Sequence, residues 1–152
     1  MRAEQLWQAA SDTVRIVRLP GIYGPGRSAL DRVRAGKARR IVRKGQVFSR
    51  IHVNDIATGL KALLGSRCVG VFHICDAAAA PPQDVIAYAS DLLQVARPPD
   101  VPFEQADLSD MARSFYSECK RVSNAKIKAA TGWRPLYPTY REGLKAIQAA
   151  GR

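Results

Sequence analysis

The sequence lacks the features that several common protein classes require. No apolar run approaches the roughly twenty residues needed to cross a bilayer, and residues 1–7 have no signal-peptide core. Cysteine is scarce, and Cys68, Cys75 and Cys119 show no close paired spacing. The absence of such a spacing disfavours a zinc cluster and a secreted disulfide framework. We therefore expect a soluble, cytoplasmic protein with reduced thiols and no membrane segment.

Familiar catalytic and metal-binding signatures are also missing. There is no Gly-x-Ser-x-Gly nucleophile turn, and the acidic residues are scattered among predicted caps and turns. The two histidines, His52 and His73, are too far apart along the chain to show a metal-ligand spacing. We predict no metal site, and nothing supports a hydrolase.

Acidic residues are the scarce charge: 13 Asp and Glu stand against 24 Lys and Arg, giving a net charge of +11. The densest basic segment, residues 32–50, contains no acid. Such a surplus attracts anions, and arginine favours bidentate contacts to phosphate. Three interpretations remain open: a solvated basic face, a site for a phosphate-bearing small molecule, or a nucleic-acid surface. The last is disfavoured because Phe48 is the only aromatic residue in the segment.

Hydrophobic periodicity and capping residues predict alternating strands and helices in a single domain, residues 1–152. A strand at 14–19 runs into a turn rich in glycine and proline, and a second strand is predicted at 70–75. Short strands are considered at 40–43 and 47–48. Helices are predicted at 2–11 with a buried apolar stripe, at 28–35 capped by Ser28, at 55–64 capped by Asp55, and at 81–92, 107–117, 124–131 and from 140 onward.

Four segments in this order resemble the extended and atypical short-chain dehydrogenase/reductases, of the nucleoside-diphosphate-sugar epimerase/dehydratase type. They are residues 14–27, 48–57, 71–76, and 121–135 together with 141–144. The resemblance covers the whole chain but only the C-terminal half of the family. It implies an α/β fold: the C-terminal part of a doubly wound, Rossmann-like parallel sheet plus a mostly helical substrate-side lobe. We expect the N-terminal dinucleotide-binding half to be absent, either through truncation or because it is a separate chain.

The resemblance also implies roles for individual residues. Leu19, Pro20, Gly21 and Ile22 would line the nicotinamide end of NAD or NADP through backbone groups, with glycine permitting close approach. The alternative is that the glycines and prolines here only shape a turn. Asp55 is interpreted as a helix cap and His52 as a packed, hydrogen-bonded histidine rather than as an acid and a base.

Substrate binding is assigned by the resemblance to two arginines. Arg50 and Arg121 are the candidates to bind an anionic substrate, since a guanidinium can fork onto a phosphate or carboxylate. Sugar-nucleotide epimerases commonly carry an arginine four residues before the histidine of the 48–57 segment, where this chain has Phe48. This departure puts a sugar-nucleotide substrate in doubt.

Two further departures concern the cofactor and the chemistry. No glycine-rich turn follows a first strand to hold the pyrophosphate, so we expect no tight cofactor binding by this chain alone. Tyr116 and Lys120 match the Tyr-x-x-x-Lys proton-transfer pair of the family, but they follow the nicotinamide segment instead of preceding it. We interpret the match as coincidence and assign no catalytic residue.

Three functional hypotheses follow. The chain is the substrate-side portion of an NAD(P)-dependent epimerase, dehydratase or reductase, inactive by itself. Alternatively, it is a non-enzymatic module that binds an anionic metabolite or mediates oligomerisation, or a basic protein associated with nucleic acid. An unpaired edge of the 14–19 strand predicts marginal stability or self-association of the isolated chain.

Overall fold

Six short strands pair in parallel in the computed structural model, which describes residues 2–151. Strand β1 (Arg15–Arg18) follows helix α1 (Arg2–Ala10), and strand β2 (Gly21–Tyr23) comes directly after the turn at residues 19–20. The later strands are β3 (Arg40–Val42), β4 (Arg50–His52), β5 (Gly70–His73) and β6 (Asp100–Pro102).

The pairs are β1 with β5, β2 with β4 and β3 with β6. In the first pair Val17 lies beside Phe72, and in the second Ile22 lies beside Ile51. Parallel strands need long crossover connections, which here contain the helices. The predicted α/β class with a parallel arrangement is therefore confirmed.

Six further α-helices lie between residues 2 and 151. They are α2 (Ala29–Arg34), α3 (Val53–Leu64), α4 (Pro82–Leu93), α5 (Asp110–Tyr116), α6 (Ala125–Thr131) and α7 (Tyr140–Ala150). No helix between residues 2 and 151 combines the length and the apolar character needed to cross a membrane.

The predicted caps set several helix boundaries. The Ser28 hydroxyl accepts from the Asp31 amide at the start of α2, and the Asp31 carboxylate accepts from the Ser28 amide at 2.7 Å. Thr139 and Glu142 form the same reciprocal capping box at the start of α7. These boundaries follow from the sequence because a cap satisfies amides that have no partner inside the helix.

Four local predictions are wrong. Leu6 and Trp7 are 65% and 66% exposed, so α1 buries no stripe within residues 2–151. Residues 47–48 form no strand, because Phe48 makes only isolated bridges to Ala80 and Lys120. Strand β2 lies where the sequence predicts a turn, and β6 lies where it predicts neither a strand nor a helix, since three residues are too short for an alternating pattern to show.

Two apolar clusters hold the elements together. One joins β2, α2, α4 and α7 and contains Tyr23, Leu30, Val85, Ala89, Tyr140 and Leu144. The other joins β4, α3, β5 and α6 and contains Ile51, Leu63, Phe72, Ile74, Ile127 and Trp133. Gly143 on α7 lets Tyr23 fit in the first cluster, since a Cβ there would lie only 2.8 Å from carbons of the tyrosine ring. Strand β2 and helix α7 are thereby brought into direct contact.

Candidate substrate-binding site

A cleft of about 660 Å³ opens beside β2, α2 and the start of α4. Its wall comes from segments far apart in sequence: the strand β2, the turn and helix at 26–35, Arg50 on β4, the N-terminus of α4, Tyr116 at the end of α5, and Tyr140 and Leu144 on α7. Its strand residues are the whole of β2, Ile41 in the middle of β3 and Arg50 at the start of β4.

The lining of the cleft is strongly basic. Five basic residues contribute to it: Arg27, Arg32, Lys37, Arg39 and Arg50. The only acidic residue in the lining is Asp31, whose carboxylate is already used by the Ser28 backbone and hydroxyl. Positive charges gathered in a concave, partly apolar wall raise the local concentration of anions.

Arg50 is the most deeply placed of these cations. Its Nη1 donates to the carbonyl oxygens of Phe48 at 2.9 Å and Ala80 at 3.0 Å. Among residues 2–151, no carboxylate oxygen lies within 4.0 Å of its guanidinium nitrogens. Burial lowers the pKa of Arg50, and the nearby charge of Asp76 raises it. The two carbonyls hold the group in place without neutralising it.

Three tyrosines surround Arg50 in the cleft: Tyr23, Tyr116 and Tyr140. Burial raises the pKa of each phenol, and the positive charge of Arg50 acts on all three in the opposite direction. The Tyr23 hydroxyl is buried and has no hydrogen-bond partner within the described part of the chain. The phenols are therefore neutral at physiological pH and form an aromatic wall beside the cations.

His52 lies behind the cleft, between two aromatic rings. Its ring centroid is 5.2 Å from that of Tyr23 and 4.3 Å from that of Tyr137. Its Nδ1 accepts from the Asn54 amide, so His52 is the N-cap of α3. Burial lowers the pKa of His52, and Asp55 opposes that shift. The packed, hydrogen-bonded role predicted for His52 is the one the structure shows.

Asp55 does not cap α3, which corrects the prediction. It stands in the first turn of the helix, fully buried, and its carboxylate accepts from the backbone amides of Leu136 at 2.5 Å and Tyr137 at 3.2 Å. Burial raises its pKa, and these two hydrogen bonds lower it. The side chain ties α3 to the segment that enters α7, so Asp55 has a structural role.

Asp76 is a second buried carboxylate behind Arg50. Its Oδ1 accepts from the Ala78 amide at 3.3 Å, whereas Oδ2 is buried and has no partner among residues 2–151. Burial raises the pKa of Asp76 to about 7, against the opposing effects of the Ala78 hydrogen bond and the Arg50 charge. The native state therefore holds a proton that the unfolded chain releases near pH 4.

This proton makes stability depend on pH. Between about pH 4 and pH 7 the folded chain binds more protons at Asp76 than the unfolded chain, so the free energy of unfolding falls as pH rises and levels off above pH 7. We expect Asp76→Asn to remove up to about 4 kcal/mol of that fall. Urea unfolding at pH 4.5, 6 and 8 measures it. Shifts at Asp55 and His52 occur in both proteins and cancel, so equal pH slopes would contradict the expectation.

The predicted site residues divide into two groups. Gly21, Ile22 and Arg50 line the cleft. Leu19, Pro20 and Arg121 are not part of its lining, and Arg121 is exposed. Sequence reasoning did not assign Arg27, Arg32, Tyr23 or Tyr140 to the site, although Arg32 lies in the basic run and Tyr23 in the glycine-rich segment.

The two residues of the Tyr-x-x-x-Lys match, Tyr116 and Lys120, have different surroundings in the structure. Tyr116 lines the cleft, but the Lys120 ammonium pairs with Glu118 at 3.2 Å and lies 6.0 Å from the centre of the Phe115 ring. Both of these contacts are at the surface. This geometry supports the interpretation of the match as coincidence.

The fold and this basic cleft define an α/β protein with parallel strands and a concave, cationic site. The chain is similar to a functionally unknown conserved protein from Silicibacter pomeroyi, with 52% identity and a TM-score of 0.91 over 99% of this chain and 53% of that one. It is also similar to a human epimerase family protein solved with NADPH, with 23% identity and a TM-score of 0.75 over 95% of this chain and 53% of that one.

The chain is also similar in sequence to a curated protein. The chain is 29% identical over 145 residues to a 3-diazoavenalumate denitrifying reductase from Streptomyces, covering 90% of this chain and 48% of the relative. No family model matches the sequence. The resemblance to NAD(P)-dependent epimerase, dehydratase and short-chain dehydrogenase/reductase proteins is thereby confirmed, and the chain spans about half the length of the proteins it matches.

Proposed function

We propose that this chain is the substrate-side portion of an NAD(P)-dependent epimerase, dehydratase or reductase, and that its cleft binds the anionic group of the substrate. The observation that carries the proposal is the set of basic side chains around one cleft, with Asp31 as the only acid in its lining. Arg50 is partly buried while the other four basic residues are exposed, and a charge shielded from water is costly unless it is compensated. An anionic ligand would supply that compensation. Arg50 binds the anion most directly, with Arg32 and Arg27 at the entrance.

We also propose that residues 19–22 contact the nicotinamide end of NAD or NADP, and two features of this segment support the proposal. Leu19 and Ile22 are apolar and 40% and 41% exposed, which suits contact with a flat ring. An added Cβ on Gly21 would meet no protein atom closer than 3.6 Å, so packing within the chain does not require glycine there. A glycine that packing does not demand, at an exposed position, allows a ligand to approach the backbone.

We propose a separate role for each group of residues. Leu19, Pro20, Gly21 and Ile22 would hold the nicotinamide end, and the bound cofactor would supply the hydride chemistry. Arg50 orients the substrate by holding its anionic group, and the apolar wall of the cleft excludes water around it. We assign no proton-transferring residue to this chain, and Arg121 is proposed only as a secondary surface contact.

A matched pair of arginines on one helix tests the anion site. Arg32 and Arg34 both belong to α2, but only Arg32 lines the cleft. We expect Arg32→Ala to weaken the binding of inorganic phosphate about 10-fold and Arg34→Ala less than twofold, since a charge-assisted hydrogen bond is worth about 1.5–3 kcal/mol. Titration calorimetry at constant ionic strength gives the affinities.

The same two variants separate the other hypotheses. Equal losses for Arg32→Ala and Arg34→Ala would mean that phosphate responds to overall charge, which contradicts a built anion site. If DNA affinity also falls steeply with salt and both variants reduce it alike, the nucleic-acid hypothesis is favoured instead. Self-association of the chain, measured by sedimentation, would support the oligomerisation module.

A further inference from the structure

We propose that Asp76 regulates the anion site: it takes up a proton when an anion binds to Arg50 and releases that proton when the anion leaves. The inference rests on the proposed anion-binding function and adds its regulation to it. Asp76 does not belong to the lining of the cleft, so it acts through Arg50 and not by contact with the anion.

The fold fixes Asp76 next to Arg50. The backbone amide of Asp76 donates to the Arg50 carbonyl at 2.8 Å. On the other side, the side-chain amide of Asn124 donates to the carbonyl of Cys75 at 2.7 Å and to that of Asp76 at 3.3 Å. Asp76 is only 3% exposed. Its backbone is therefore held beside that of Arg50, and its carboxyl group is enclosed by protein.

The Asp76 carboxyl group has little to stabilise a negative charge. One hydrogen bond, from the Ala78 amide at 3.3 Å, reaches Oδ1, and Oδ2 has no partner among residues 2–151. The Tyr23 hydroxyl and the Nε2 of His52 are also buried without partners, so neither donates to the carboxylate. A buried charge needs hydrogen bonds or an opposite charge. Arg50 is the cation whose charge acts on Asp76.

Arg50 is therefore shared between two anions. Its guanidinium is held by two main-chain carbonyls, and in the part of the chain that the structure describes it pairs with no carboxylate. A bound anion and an ionised Asp76 would both draw on this one positive charge and would repel each other. When two anionic groups share a site, the pKa of one of them is raised. A bound anion that keeps its charge leaves Asp76 to take the proton.

The other titratable groups near Asp76 keep their charge state around neutral pH. Burial raises the pKa of Tyr23 and raises that of Cys75 to about 11, so both stay neutral. Burial lowers the pKa of His52, which keeps the imidazole neutral. The carboxylate of Asp55 accepts two backbone hydrogen bonds, which lower its pKa against the effect of burial. Asp76, whose pKa burial raises to about 7, is the group that can exchange a proton here.

Sulfate titrations between pH 6 and pH 8 test the inference, because sulfate keeps its charge over this range and phosphate does not. We expect the affinity for sulfate to fall about fivefold from pH 6 to pH 8, since the anion-bound chain holds more protons than the anion-free chain. Calorimetry at pH 7.5 in buffers of different ionisation enthalpy should show uptake of about half a proton per sulfate. Both values correspond to Asp76 becoming an acid about 10-fold weaker when sulfate binds.

Substitutions then assign the effect to Asp76. Asp76→Asn keeps an oxygen for the Ala78 amide but has no proton to exchange. We expect it to bind sulfate about fivefold more tightly than the unsubstituted chain at pH 8, with no proton uptake. Asp84→Asn is the matched control, because it removes the same charge at an exposed position outside the lining of the cleft. It should keep both the pH dependence and the proton uptake.

The outcomes separate the two proposals. If sulfate binds to the unsubstituted chain without proton uptake and equally well at pH 6 and pH 8, this inference is overturned and the anion site stands. That measurement needs no variant, so it does not depend on how well Asp76→Asn folds. A pH dependence that persists unchanged in folded Asp76→Asn also overturns the inference. If sulfate binds to none of the three proteins at any pH, both proposals fail.

Discussion

Replacing Arg50 by methionine is expected to weaken phosphate binding 10- to 100-fold without lowering the stability of the fold. The loss corresponds to removing a charge-assisted contact worth about 1.5–3 kcal/mol. Methionine fills most of the space of the arginine stem, and replacing a buried charge with an apolar group is often neutral or stabilising. Titration calorimetry and urea unfolding measure the two effects separately.

Stability is preserved because the carbonyls that Arg50 contacts keep other partners. The Phe48 carbonyl accepts from the Ala80 amide, and the Ala80 carbonyl accepts from the Phe48 amide, each at 3.1 Å. Arg34→Met is the matched control, since Arg34 is exposed and lies outside the lining of the cleft. We expect it to change phosphate affinity less than twofold. An equal loss in both variants would show that net charge, and not Arg50, governs binding.

Replacing Asp55 by alanine is expected to cost about 3–5 kcal/mol of unfolding free energy. The substitution leaves the amides of Leu136 and Tyr137 without their acceptor and opens a cavity at the fully buried Asp55 position, and an unsatisfied polar group shielded from water costs about 1–3 kcal/mol. Because small domains have a total stability of about 5–15 kcal/mol, this loss removes much of it. Urea unfolding followed by far-UV circular dichroism gives the value.

The control for Asp55 is Asp84→Ala. Asp84 also stands in the first turn of a twelve-residue helix, but it is exposed. Its contribution is limited to the helix dipole, and we expect a loss of no more than about 1 kcal/mol. Comparable losses for the two variants would show that the helix position, and not the link to Leu136 and Tyr137, makes Asp55 important.

Local sequence signals predicted many of the elements correctly. Ser28, with Asp31, and Thr139, with Glu142, begin helices because their side chains satisfy amides within the same turn. Gly132 ends α6 with a φ of +72°, a conformation that glycine adopts without strain. The strands β1 and β5 were predicted from their β-branched and aromatic residues. Each of these signals acts within a few residues, so the rest of the molecule is not needed to recognise it.

The errors concern residues whose role depends on distant partners. Asp55 has the composition of a cap, but its acceptor oxygens face amides 81 and 82 residues later in the chain. The apolar side of α1 has the pattern of a buried stripe, yet no other element in the described part of the chain covers Leu6 and Trp7. Periodicity shows which face is apolar, and only packing shows what lies against it.

The amino-acid sequence alone determined the basic charge, the α/β class, most helix boundaries and the resemblance to the epimerase/dehydratase proteins, because these depend on composition and on short-range patterns. The tertiary structure decided which of the many arginines face one cleft. It placed Arg50 among Tyr23, Tyr116 and Tyr140, and it left Arg121 at the surface. The physical reason is that the cleft is lined by side chains from elements far apart in sequence, and their convergence has no counterpart in sequence spacing.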